Sequence, residues 1–307
     1  MTGVPIIFPA ERGGRRSKTS GARMAIKVTF WGVRGSIPTP GIDTVHFGGN
    51  TSCVEMRAGN AIIIFDAGTG IRLLGQKLLR EMPVKGHVFL SHVHWDHIQG
   101  FPFFGPAFVK GNEFSLFGGN STTRSLAEAL AGQMDHPNFP VDIGDMGATM
   151  TFSDLQEGQV VEIDSGTEHG AIRVSNTRGN HPNGVWIYRV DYAGKSVVYS
   201  TDTEHYAIVD PKICTLAQGV DALIYDAMYT PEEYLGKVPG AGPSKVGWGH
   251  STFDEGAKLA HAANVRHLYL FHHDPHQTDD DVRKKESRAQ ALFPACTAAY
   301  EGLTFEV

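Results

Sequence analysis

From Val88 to His97 the chain reads Val-Phe-Leu-Ser-His-Val-His-Trp-Asp-His, an apolar run that stops in three imidazoles and a carboxylate. Few stretches limit a fold as strongly. His92, His94, Asp96 and His97 act together only if the apolar run is a strand and the loop after it is aimed at one place. Nitrogen and oxygen donors of this kind are the set that zinc takes. On an extended segment His92 and His94 point to the same side, while Asp96 and His97 follow as the chain turns into a helix. One pair can then serve one metal and the other pair its neighbour. A single histidine in a polar loop would carry no such meaning, but the compact pattern His-x-His-x-Asp-His after an apolar run points to a two-metal site.

Further strand ends of the same kind follow along the chain. Ile26–Trp31 alternates as a strand and runs into a Gly- and Pro-rich loop holding Arg34, which suits either a substrate phosphate or a structural tie to the core. Cys53–Arg57 and Ala61–Phe65 continue a β-meander. Ile62–Phe65 is apolar throughout, ends at Asp66, and precedes Ile71, Leu73, Leu74, Leu78 and Leu79 at helical spacing. A carboxylate at that strand end is well placed to hold a ligating imidazole. After His97 comes the aromatic stretch of Phe101, Phe103, Phe104 and Phe108, read either as core or as an apolar wall for a planar group. Phe114–Phe117 is a strand, 122–133 a helix, and His136 sits in a Pro-flanked loop expected near the entrance. Thr149–Asp154, Val160–Ile163 and Ala171–Asn176 are strands.

Val185–Tyr192 and Lys195–Ser200 make a hairpin about Gly194, with His181 before it and Asp202 after it. Val220–Tyr225 ends at Asp226. Gly249-His-Ser-Thr252 opens a helix over Phe253–Ala263, with Ser251 or Thr252 as its N-cap. His267–Phe271 is the last core strand, delivering His272, His273 and Asp274.

The 307 residues, 41% hydrophobic and 20% charged, describe an ordinary globular chain. No apolar run approaches the roughly 20 residues of a membrane span. The net charge of −6 argues against a chain-wide nucleic-acid surface, so a large nucleic acid is disfavoured as partner and small or locally bound substrates are favoured. Cys53, Cys214 and Cys296 are odd in number and far apart, which points to a reducing cytoplasm. Residues 1–23, basic and rich in Gly and Ser, are expected to be a disordered tail; 24–307 is expected as one domain.

The metal stretch resembles the metallo-β-lactamase fold superfamily, and the later strand ends match its other motifs in order. The resemblance implies a four-layer αβ/βα sandwich of two mixed sheets with helices outside. It assigns Asp66 to the first motif, His181 and Asp202 to the third and fourth ligand positions, and His272 rather than His273 to the fifth. Asp202 would bridge two divalent ions, zinc first, with manganese or iron as alternatives. True β-lactamases carry a zinc-binding cysteine where Asp202 stands. The Gly249–Thr252 segment with Asp226 is instead similar to the phosphodiesterase branch, which includes tRNA 3′-end endonucleases, cyclic-nucleotide phosphodiesterases and a cyclic-phosphate hydrolase.

By that resemblance Asp96 would orient the attacking hydroxide and His250 would contact the phosphate and protonate the leaving oxygen. The tRNA endonucleases carry a protruding arm between the third and fourth motifs. His181 and Asp202 are only 21 positions apart, which leaves no room for one. The expectation is a cyclic nucleotide, with Phe101, Phe103 and Phe104 in its base pocket, and a homodimer is compatible with it. The competing classes are a tRNA 3′-end endonuclease, another cyclic-phosphate hydrolase, and a non-catalytic metal-bearing sensor.

Overall fold

Two kinds of pairing build the protein: each sheet is antiparallel along one side and parallel along the other, and its central parallel strands are buried on both faces. A computed structural model describes residues 25–119, 124–239 and 242–307. Residues 1–23 lie outside the described residues, as do Thr122 and Thr123 of the expected helix.

The first sheet takes β1 (Ile26–Gly32), β2 (Cys53–Ala58), β3 (Ala61–Phe65), β4 (Lys85–Phe89), β5 (Glu113–Gly118) and β6 (Thr149–Asp154) in sequence order. The helices α1 (Ile71–Leu78), α2 (Trp95–Ile98) and α3 (Leu126–Gly132) interrupt it. The second sheet takes β7 (Val160–Ile163), β8 (Ile172–Gly179), β9 (Val185–Tyr192) and β10 (Lys195–Ser200). After α4 (Pro211–Leu216), β11 (Ala222–Asp226), α5 (Pro231–Tyr234) and α6 (Phe253–Ala262), it continues with β12 (Leu268–Phe271). Then α7 (Asp279–Leu292) leads to β13 (Cys296–Ala298), which closes this sheet beside β12, while β14 (Thr304–Glu306) returns to pair with β1.

Layering follows from which side each apolar residue faces. Ile63 and Phe65 of β3 meet Tyr199 of β10 and Phe271 of β12 between the sheets, whereas Ile62 and Ile64 face the cluster under α1 and α3. Likewise Val198, Leu223 and Leu268 face the layer of α4, α6 and α7. The result is the four-layer sandwich of two mixed sheets with helices outside. Strands β3 to β6 run parallel, as do β10 to β13. Their carboxyl ends gather along one edge, and this is where a parallel-stranded fold presents its chemistry.

Several elements differ from expectation. The helix after residue 250 has Thr252 at its N-cap, but the hydroxyl donates to Asp254 rather than accepting from the first turn. The short helices α4 and α5, and all of α7, β13 and β14, were not anticipated. The hairpin of β9 and β10 turns on Ala193 and Gly194, both at positive φ, a two-residue connection of the kind that suits twisted strands. Among the described residues no helix is long and apolar enough to cross a membrane.

Candidate active site

Three site residues arrive by the same local device: a strand buried on both faces ends, and within two residues the chain turns sharply at the residue that joins the site. Asp66 after β3, Asp202 after β10 and His272 after β12 all have positive φ, at 60°, 50° and 59°. Non-glycine residues rarely adopt this region, and holding each there costs on the order of 1 kcal/mol or more. Strain repeated at three corners of one site is strain that the surrounding packing enforces.

The side chains converge in two main sets, His92, His94 and His181 in one and Asp96, His97, Asp202 and His272 in the other, and a third group, Asp202, Asp226, His250 and His272, overlaps the second; within each the ligand atoms lie within 4.8 Å of one another. Asp202 faces both main sets. Its Oδ1 lies 3.2 Å from Nε2 of His97 and of His272, and its Oδ2 lies 3.7 Å from His92 Nε2 and 3.9 Å from His181 Nε2. Asp96 Oδ2 is 3.2 Å from both His97 Nε2 and His272 Nε2.

These residues fit a pair of divalent ions on two observations. The Nε2 of His92 is buried and has no hydrogen-bond partner, an orphan that a cation would satisfy. The edges of a tetrahedron with arms of about 2.0 Å are about 3.3 Å long, and His97 Nε2 stands 3.3 Å from His272 Nε2. Charge agrees with geometry. Asp66, Asp96, Asp202 and Asp226 are all buried, and the pairs they make are with imidazoles. Carboxylates buried together demand positive charge.

Titration points the same way. Burial, seconded by the neighbouring imidazoles, holds His92 well below its usual pKa, and burial also lowers His94 and His181, so that these donors are neutral. Burial opposes ionisation of Asp202, but the imidazoles of His272 and His97 outweigh it and keep the carboxylate charged. The cluster is a dinuclear divalent-metal site.

Outer partners fix the rings. Asp66 accepts from His97 Nδ1 at 2.7 Å, from the Ser91 amide and hydroxyl at 2.7 and 2.8 Å, and from the Tyr199 hydroxyl at 2.6 Å. His181 Nδ1 donates to the Gly249 carbonyl at 2.8 Å, which leaves Nε2 facing the site. Gly249 has φ 87°, and a Cβ there would stand 2.2 Å from His181 Nδ1. His250 Nδ1 lies 2.9 Å from Asp226 Oδ2, its ring stacked at 5.0 Å on His272. Asp226 also accepts from the amides of Thr203 and Met228, so its carboxylate cannot swing away.

The sequence reading missed Ser91, Tyr199 and Glu204. Glu204 accepts from the amides of Gly247 and Gly249 and from the Tyr234 hydroxyl, holding the loop that carries His250. A tyrosine inside an apolar strand carries no mark of its partner, but the acidic residue two positions after Asp202 was a signal available for Glu204.

His272 enters the cluster, whereas His273 turns to the opposite side, its Nε2 donating to the Ala299 carbonyl at 2.9 Å and its ring edge-on to Phe47. His272→Ala is therefore expected to lower bound metal measured by elemental analysis. His273→Ala is expected to keep both ions and lose roughly 1–3 kcal/mol of stability in urea unfolding, since it leaves a buried carbonyl unpaired. The reverse pattern would put the register off by one.

Four expected substrate contacts fall elsewhere. Arg34 is fully buried and spends its guanidinium on the carbonyls of Gly48, Asp274 and Gln277, tying the first loop to the end of β12. It is a structural tie, out of reach of a phosphate. Arg34→Met is expected to cost about 3 kcal/mol or more in denaturant unfolding by stranding those carbonyls; a normal unfolding midpoint with weakened substrate binding would restore the phosphate role. Phe101 and Phe104 pack in the apolar cluster under α1 and are 2% and 1% exposed, so they line the core and not a base pocket. They lie in the core because the segment after α2 folds back against α1. His136 is exposed beyond α3 and makes no contact with the ligand cluster among the described residues. Phe103, 58% exposed, packs edge-on to Phe139 at 5.5 Å.

Comparison with known proteins agrees with this geometry. Residues 62–273 match the β-lactamase superfamily domain. A ribonuclease Z of Picrophilus torridus is 25% identical over 92% of this chain and 96% of its own length. The metallo-β-lactamase fold protein YhfI of Bacillus subtilis superposes with a TM-score of 0.67 at 18% identity, over 93% of this chain and 100% of that one. The short form of human tRNase Z does so with a TM-score of 0.59 at 17% identity, over 91% and 98%.

Proposed function

This chain belongs to the β-lactamase superfamily as a metal-dependent hydrolase, and from that premise we propose that it hydrolyses a small nucleotide phosphodiester, a cyclic nucleotide first. The observation that carries the reading is the His250–Asp226 pair, set against His272 beside both ligand sets. A hydrolase of a bond with a good leaving group has no need of such a pair. An alkoxide leaving from phosphorus does need a proton.

In this reading His92, His94 and His181 would hold one ion and Asp96, His97 and His272 the other, with Asp202 available to both. The nitrogen and oxygen donors suit zinc, with manganese or iron as alternatives. When bound, such a pair supplies Lewis acidity at the phosphoryl oxygens and lowers the pKa of water. The chain does the rest. Asp96, whose Oδ2 accepts the Ser36 amide at 2.7 Å, orients the attacking water. Asp226 fixes the proton of His250 on Nδ1, so that Nε2 is the atom that carries a proton to the leaving oxygen. Burial of Asp96, His97, Asp202 and His272 keeps bulk water from competing.

The two-residue turn between β9 and β10, with no projecting segment between His181 and Asp202, favours a small ester, as does the net charge of −6. The three cysteines are free, which fits a reducing cytoplasm. A second reading, 3′-end cleavage of tRNA, is favoured by the ribonuclease Z likeness over 92% of the chain. The deciding experiment assays metal-loaded protein against 3′,5′- and 2′,3′-cyclic nucleotides, an aryl phosphodiester, linear dinucleotides and precursor tRNA. Cyclic-nucleotide turnover above all others is expected. Trailer release from precursor tRNA without cyclic turnover would transfer the assignment to the second reading, and full loading without turnover of any ester would make this a binding protein.

A further inference from the structure

Of the four tryptophans, two are accounted for by the fold: Trp186 is buried and donates to the Gly119 carbonyl, and Trp31 is partly covered and donates to Glu55. The other two are not. Trp95 is 79% exposed and Trp248 is 49% exposed, and the indole N–H of neither is hydrogen-bonded among the described residues. Packing gives no reason for an aromatic at either position, since the first residue of α2 and the Gly-rich 247–249 turn would accept a small polar residue.

Their placement is not scattered. Trp95 stands between His94 and Asp96, and Trp248 stands one residue before Gly249. His94 Nδ1 lies 3.1 Å from His181 Nε2, and His181 Nδ1 lies 2.8 Å from the Gly249 carbonyl. Each tryptophan is therefore the chain neighbour of one end of a three-residue bridge, His94–His181–Gly249, that runs through the first ligand set. Lys245 Nζ lies 4.2 Å over the Trp248 ring, adding a cation to that side.

An exposed indole offers a flat face on which any nucleobase stacks, and a neighbouring cation suits the anionic ester attached to it. We infer that Trp95 and Trp248 form the stacking site for nucleobases next to the scissile phosphate, so that the substrate class is a base-bearing ester and not a glycerol or simple alkyl phosphodiester. This rests on the phosphodiesterase reading and narrows it. It also replaces the buried Phe101 and Phe104 with residues that a base can reach.

The test uses two esters with one leaving group: thymidine 5′-(4-nitrophenyl phosphate) and methyl 4-nitrophenyl phosphate, hydrolysed by the metal-loaded full chain. The ratio of their kcat/KM values isolates the base. In Trp95→Ala and Trp248→Ala that ratio is expected to fall roughly 5- to 150-fold, the loss of one stacked base, and Trp95→Phe is expected to recover most of it. An unchanged ratio in both alanine variants overturns the inference. An unchanged ratio accompanied by a shift from dimer to monomer in sedimentation also overturns it and assigns the indoles to an interface between copies. Should the wild type cleave neither ester, the phosphodiesterase reading fails, and tryptophan fluorescence titrated with the dinucleotide thymidylyl-thymidine decides the stacking separately. Quenching that weakens in each alanine variant sustains the stacking site, and no quenching removes it.

Discussion

Asp202→Ala is expected to lose bound metal and to lower turnover by more than the roughly 10–100-fold that removal of an outer partner costs. Its two oxygens are divided between the sets, Oδ1 toward His97 and His272 and Oδ2 toward His92 and His181, so no other residue can take over both roles. The side chain is 1% exposed at a backbone φ of 50°, which means that the fold bends to present it. With the carboxylate gone, imidazoles crowded within hydrogen-bonding distance of one another face two cations with one negative charge fewer. Asp202→Asn separates shape from charge: it keeps the volume and is expected to recover stability in thermal unfolding without recovering turnover. Elemental analysis together with the rate on a cyclic nucleotide checks both variants. Near-wild-type turnover in Asp202→Ala would remove this residue from the site.

The second large effect belongs to His250. Burial pulls its pKa down, but Asp226 and then Asp202 outweigh burial and raise it to about 9. The carboxylates of the chain itself therefore favour the imidazolium at neutral pH, with Asp226 the first of them, and its proton is lost as the pH rises. A general acid contributes typically 10²–10⁴-fold, and most where the leaving group is basic. His250→Ala is expected to keep both metals, to slow a cyclic nucleotide by about two orders of magnitude or more, and to slow a nitrophenyl ester distinctly less. The alkaline fall in the wild-type nucleotide rate should vanish in the variant. Equal losses on the two esters with metals intact would leave His250 a phosphate contact and send the search for the acid to Asp226.

The chemistry of the site was legible in the chain because metal ligands and their partners at strand ends leave a local mark: an apolar run, then a carboxylate or imidazole. Asp66, His92, Asp202, Asp226 and His272 all carry it, and each stands where its strand stops. The two-sheet architecture was implied by the family resemblance, and the same runs agree with it, since a strand apolar on both faces must be covered on both. Helix α7 also left a signal that went unread, Thr278 and Asp281 in a capping box ahead of Val282 and Ala289. Its heavy charge hid the apolar face.

What the linear order could not determine was direction and reach. Whether Arg34 met a phosphate or a carbonyl depended on residues 240 positions away, because Asp274 and Gln277 supply the carbonyls that bind it. Phe101 and Phe104 look like a pocket wall in sequence, and only the fold of their turn under α1 puts them in the core. Exposure divides the aromatics near the ligand cluster: Trp95, unremarkable inside the ligand motif, stands in solvent, whereas Phe101 and Phe104 do not. Ligand identity is local chemistry and is written in the chain; which face a side chain turns to is set by long-range packing, and the tertiary structure alone decides it.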